Sequence, residues 1–154
     1  MILARRICGR LEAGEYSFKI RQLHEADKAI IDRFFSEETQ QDDLVYTGIE
    51  SKRFNFRHPC YSHFGIFAGE QLAALGWVKI LGRNSVERII LIGRSWRRRG
   101  LRSAWHARNN SLCQRMGLVT VTRINENNKL MLDIYRNKGF SLDRKEGHLY
   151  IIEE

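Results

Sequence analysis

Arg97, Arg98, Arg99 and Arg102 crowd around Gly100 in a single turn of this 154-residue chain. The turn follows a short apolar run, Val86 to Ile92, and precedes a helical pattern that starts at Leu101. A turn at the start of a helix presents unpaired backbone N–H groups and the positive end of the helix dipole, so Arg97 to Ser103 could cradle a phosphate. The plainer alternative is a solvated basic face. Two further residues stand out. Glu87 is the only carboxylate near the apolar run, where pairing with Arg88 or Arg83 at the surface is the plain reading. Tyr135 lies on the apolar face of a later helical run, where it is either a core aromatic or a phenolic proton donor. His58, Cys60 and His63 have a metal-like spacing but no second ligand cluster, so they read as loop and strand residues.

Composition restricts the classes. A chain of this length with 43% hydrophobic and 29% charged residues reads as one globular domain, not a disordered one. No apolar run reaches membrane-spanning length and no signal-peptide core follows Arg5, Arg6 and Arg10, so the cytoplasm is the expected compartment, with no membrane partner. Cys8, Cys60 and Cys113 are odd in number and lack paired spacing, so they read as reduced thiols, with Cys113 in the core and no metal site expected. The net charge of +8 is segregated: residues 25–50 carry a net of minus six and residues 83–108 a net of plus seven. An anionic ligand at one place and a cationic one at another would suit that distribution.

The positioning elements follow from periodicity. Residues 1–15 show no clean period and form an N-terminal arm or an extra strand. Tyr16 to Gln22 alternates as a strand, and a helix opens at His24, with Ala26, Ala29, Ile30 and Phe34 expected on its buried face. A weaker helix is expected within 37–53, followed by a loop over Asn55 to Tyr61. His63–Ala68 and Gln71–Ile80 read as a hairpin through Gly69-Glu70, and Val86–Ile92 as the next strand. A helix then runs from Leu101 to Met116 and ends at Gly117, followed by a β-branched strand, Val119–Ile124. A last helix, Lys129–Lys138, is expected to bury Leu130, Met131, Ile134 and Tyr135, before final strands at Phe140–Arg144 and His148–Ile152. The order implies an α/β (α+β) domain with one mixed sheet and helices on its faces.

From about Tyr16 to Ile152 the sequence resembles the GCN5-related N-acetyltransferases (GNAT). Arg97-Arg98-Arg99-Gly100-Leu101-Arg102 stands where that family has its acyl-CoA motif, Q/R-x-x-G-x-G/A. Arg102 departs from it, occupying a position that is small in the family; its side chain is expected to swing outward, onto a phosphate. Asn128-x-x-Met131-x-x-x-Tyr135-x-x-x-Gly139-Phe140 resembles a second block, with Met131 in place of alanine. The resemblance implies a mostly antiparallel sheet of six to seven strands flanked by about four helices, in one acyltransferase domain over 16–154. It implies Asn128 on the cofactor arm, Tyr135 as proton donor to the departing thiolate, and a splayed fourth strand with an N–H near Leu91 or Ile92 free for the thioester oxygen. It also implies a general base near Glu87; His63, Glu25 and Asp27 are weaker candidates.

Acetyl-CoA as co-substrate suits the phosphate cradle, since it needs backbone donors and cations. A phenol with a pKa of about 10 can protonate a thiolate whose acid has a pKa near 8.5. The expected reaction is direct transfer of an acetyl or short acyl group to an amine. The acid-rich first helices suggest that the acceptor is a cationic primary amine on a small molecule or protein. Two alternatives remain: a nucleic-acid acceptor, such as aminoacyl-tRNA or a DNA base, and a non-catalytic binding module. A monomer or a homodimer is compatible with the sequence.

Overall fold

The computed structural model describes residues 2–39 and 60–154. The elements are α1 (Ile2–Ile7), β1 (Gly9–Ala13), β2 (Tyr16–Gln22), α2 (Lys28–Glu38), β3 (Tyr61–Ala68), β4 (Gln71–Ile80) and β5 (Ser85–Ile92), then α3 (Leu101–Arg115), β6 (Val119–Asn125), α4 (Lys129–Asn137), β7 (Lys145–Glu146) and β8 (Leu149–Glu153). Eight strands form one sheet in the order β1-β2-β3-β4-β5-β6-β8-β7. Every pairing is antiparallel except β5 with β6. This is the expected mixed α+β architecture, with eight strands where six to seven are read from the sequence. The added strand comes from the N-terminal segment: Gly9–Ala13 pairs along β2, and Leu3, Ala4, Ile7, Leu11 and Ala13 are buried.

Alternation along the strands sorts the side chains onto two faces. One face carries Phe18, Ile20, Phe64, Ile66, Val86 and Ile90 and packs against Leu101, Trp105 and Leu112 of α3. The other carries Phe67, Leu75, Trp77 and Leu91 and packs against Ile31 and Phe34 of α2. The Trp105 ring lies over Gly76, where an added Cβ would come within 2.7 Å of it, so glycine is the residue that lets α3 settle onto β4. Cys113 is buried there, as its helical position suggests.

Several expectations shift. Helix α2 begins only at Lys28, after a 3-10 turn over Glu25–Asp27, because the Asp27 carboxylate accepts from the His24 N–H and from Arg21. That phase buries Ile31 and Phe34 and leaves Ala26, Ala29 and Ile30 exposed. On α4 the buried set is Met131, Leu132 and Tyr135, while Leu130 is 71% exposed. Phe140–Arg144 is not a strand: Phe140 turns back to pack against Tyr135, and the chain reaches β8 only at the Arg144 carbonyl, which accepts from Ile151 N–H just before the Lys145–Tyr150 pair. The weaker helix and the loop containing Pro59 fall largely outside the described residues, as do His58, Asp42, Asp43 and Glu50.

Candidate functional site

The parallel ladder between β5 and β6 covers only Ser85–Val119, Val86–Thr120 and Glu87–Val121, whereas β5 stays paired with β4 out to Ile92. Beyond Glu87 the two strands part. The backbone bonds show which groups face the opening. Leu81 N–H bonds Ser85 and Gly93 N–H bonds Ala73, so odd-numbered β5 residues bond β4; Val119 N–H bonds Asn84, so even-numbered ones turn toward β6. Ile90 and Ile92 therefore direct their N–H groups into the gap. Leu91 does not: its N–H belongs to the β4 ladder and its side chain to the α2 face.

At the open end of the gap stands the arginine turn. A 3-10 turn, Arg94–Trp96, leaves β5, and Glu38 at the end of α2 clamps it by accepting from the Ser95 N–H (3.0 Å) and hydroxyl (2.9 Å). Arg98 (φ 61°) and Gly100 (φ 79°) take left-handed conformations that fold the chain sharply into α3. No side chain caps α3, so the N–H groups of Leu101, Arg102 and Ser103 head the helix without an internal cap. The Arg99 guanidinium lies over Tyr16 (4.7 Å) and Trp96 (4.8 Å), beside a depression of about 630 Å³ lined by Gly14, Glu15, Tyr16, Arg98, Arg99 and Gly100.

The run of eight arginines between 83 and 108 is not one basic face. Arg88 is buried, bonded to Asn110 and Glu154. Arg108 donates to the carbonyls of Ile7 (2.7 Å) and Cys8 (2.8 Å), closing the end of α1. Arg102 is half-buried and does not swing outward. Desolvation pushes its pKa down, and Tyr135 is the neighbour that favours its charge. Arg83, Arg94, Arg97 and Arg98 remain exposed.

On the α3/α4 side, Tyr135 is 1% exposed and its hydroxyl is 3.5 Å from the Thr122 hydroxyl. Thr122 is the first β6 residue past the last ladder pair, so the phenol stands where the strands separate. Burial raises its pKa. Asn128 caps α4 by accepting from the Met131 N–H at 3.3 Å, a structural use of its carbonyl that leaves its amide N–H₂ available.

On the opposite, α2 side, Glu87 is 6% exposed, and Arg88, its neighbour in sequence, points to the other face. It is therefore neither a surface group nor a partner of Arg88. Its nearest cation is Arg123, with Nε 3.7 Å from Oε2. Burial raises the Glu87 pKa, and Arg123 and Lys79 partly oppose the rise. His63 lies one cross-strand row away, near Trp77, and burial pushes its pKa down to about 4. Glu25 and Asp27 are outside this group, Asp27 being held by Arg21. Sequence reasoning missed Arg123, Lys79, Thr122, Ile90 and Glu38. Arg123 had a visible signal, a cation inside a β-branched run; Glu38 meets Ser95 across 57 positions and had none.

Neither a protein-family model nor a curated protein sequence matches the chain. Solved structures do. The GNAT domain of S. lividans PAT superposes with a TM-score of 0.77 at 13% identity, covering 96% of both chains. The PaiA N-acetyltransferase of Thermoplasma acidophilum, in complex with coenzyme A, gives 0.63 at 13% identity over 89% of this chain and 98% of that one. The spermidine N-acetyltransferase of Vibrio cholerae, in complex with CoA and spermine, gives 0.63 at 14% identity over 88% of this chain and 92% of its own.

Proposed function

We propose that this chain, which has the GNAT fold, is an acyl-CoA-dependent N-acyltransferase, acting as one unit over residues 16–154. It moves an acetyl or other short acyl group to a primary amine by direct attack. The observation that carries this reading is the opening between β5 and β6. It has a phenol at its apex, an uncapped helix start with cations at its mouth, and a buried carboxylate on the far face.

The donor set fits coenzyme A. The N–H groups of Leu101 to Ser103 suit a pyrophosphate, with Arg97, Arg98 and Arg99 supplying charge and the Asn128 amide facing the cofactor arm. Acetyl-CoA supplies an activated acyl carbon and a thiolate leaving group. Ile92 N–H, with Ile90 beside it, holds the acyl oxygen in this reading. Glu87, whose raised pKa makes it a stronger base than an exposed carboxylate, takes one proton from the acceptor ammonium and releases it to solvent. As the N–C bond forms and the C–S bond breaks, Tyr135 gives its proton to sulfur and regains one from the nitrogen. Donor and base thus work from opposite faces of one sheet.

The nucleic-acid alternative draws on the arginine count, and Arg88, Arg102 and Arg108 are engaged within the protein. Acetyl-CoA at about 100 times its Kd is expected to raise Tm by about 5–10 °C. A panel of primary amines should then release free thiol. No thermal shift at millimolar acetyl-CoA would overturn the enzyme reading in favour of a binding module.

A further inference from the structure

Beside the candidate base lies a cation that this reaction does not use. Arg123 stands on β6 two residues past Val121, the last ladder partner, so it turns to the same face as Glu87. Its side chain is two-thirds buried, and Glu87, its one ion-pair partner among the described residues, is at 3.7 Å, beyond hydrogen-bonding distance. Among the described residues the five N–H groups of its guanidinium donate to no acceptor. Lys79 occupies the same cross-strand row as Glu87, with its ammonium 5.2 Å from the Tyr61 ring centroid. One carboxylate therefore sits between two cations. An acceptor bearing only positive charge would meet both of them, while an acceptor with an anion beside its amine would be drawn in.

We propose that the acceptor is an α-amino carboxylate, with its ammonium toward Glu87 and its carboxylate on the Arg123 guanidinium. A planar guanidinium matches a carboxylate with two parallel hydrogen bonds, a geometry that an ammonium lacks. Standard bond lengths put the amine nitrogen about 2.5 Å from the carboxylate carbon. That span is short enough for one small molecule to engage two side chains 3.7 Å apart. The proposal rests on the acyltransferase reading and narrows its acceptor. The ammonium is still the cationic primary amine of that reading, now with a carboxylate attached.

The test pairs each of the common α-amino acids with its carboxamide, which keeps the amine and removes the anion. Thiol release with acetyl-CoA is measured for every pair, and calorimetry follows amino-acid binding to the CoA-loaded protein. At least one amino acid is expected to exceed its amide by about 10- to 100-fold in kcat/KM. Arg123→Gln should raise KM for that amino acid toward the value for the amide, so that the preference for the acid over its amide collapses, and abolish the calorimetric signal; Arg123→Lys should restore part of it. Lys79→Gln, at a more peripheral cation, should weaken binding less, and Tm of each variant checks its fold. If acetyl-CoA itself fails to bind, the acyltransferase reading falls. If acetyl-CoA binds but amides or polyamines react as well as amino acids, or no amino acid reacts or binds, the carboxylate proposal alone is overturned.

Discussion

Tyr135 and Glu87 lie on opposite faces of the sheet, yet burial displaces both pKa values upward. For the phenol this keeps the proton in place until a thiolate appears. Tyr135→Phe is expected to lower kcat by about 100-fold with little change in acetyl-CoA affinity, measured by single-turnover kinetics and calorimetry. For Glu87 the useful form is the carboxylate, so kcat/KM should fall as pH drops through a value above that of an ordinary glutamate. Glu87→Gln should remove that acid limb along with most of the rate, and a variant that keeps the limb would transfer the role to another group. The candidate residues themselves were legible because their types and spacing carry the chemistry. Their surroundings were not. Arg123 joins Glu87 only through the register of β5 against β6, and a change of one residue in that register would send it to the other face.

At the scale of elements, local patterns carried furthest where one strand or helix meets a neighbour in sequence. The β3–β4 hairpin through Gly69 and the opening of α4 at Lys129 appear where the sequence places them. Phe140–Arg144 forms no strand because Phe140 packs against Tyr135 instead of joining a ladder. The arginine turn depends on a distant partner, Glu38. Glu38→Ala should loosen the turn and raise the acetyl-CoA Kd several-fold, by calorimetry, with a modest fall in Tm. The seating of α3 on β4 is tighter. Gly76→Ala would drive a methyl group against Trp105 and is expected to cost about 1–3 kcal/mol in urea unfolding.

The segregation of charge along the whole chain was visible in the sequence, but its meaning was not, because Arg88 and Arg108 hold the fold together from within. Burial also makes the molecule acid-sensitive. His63 and His106 have pKa values pushed down to about 4 and about 3, for His106 with help from Arg88, Arg102 and Lys138. Both bind fewer protons folded than unfolded between those values and the ordinary 6.5. Their contribution to stability is complete above pH 6.5 and is lost as pH falls toward 4, while Glu87, displaced upward, works in the opposite sense. Urea unfolding across that range should show the decline, and His63→Gln should flatten part of it.

The three-pair ladder between β5 and β6 has a further consequence, in isotope exchange. Ile90 and Ile92 lie on an inner strand of the sheet, yet among the described residues their amide hydrogens have no partner strand. Those two amides should exchange with deuterium far faster than Leu91 between them, giving an alternating pattern along one strand. An acyl-CoA seated in the gap would cover them and erase the alternation, so the backbone itself would record occupancy without any acceptor or turnover.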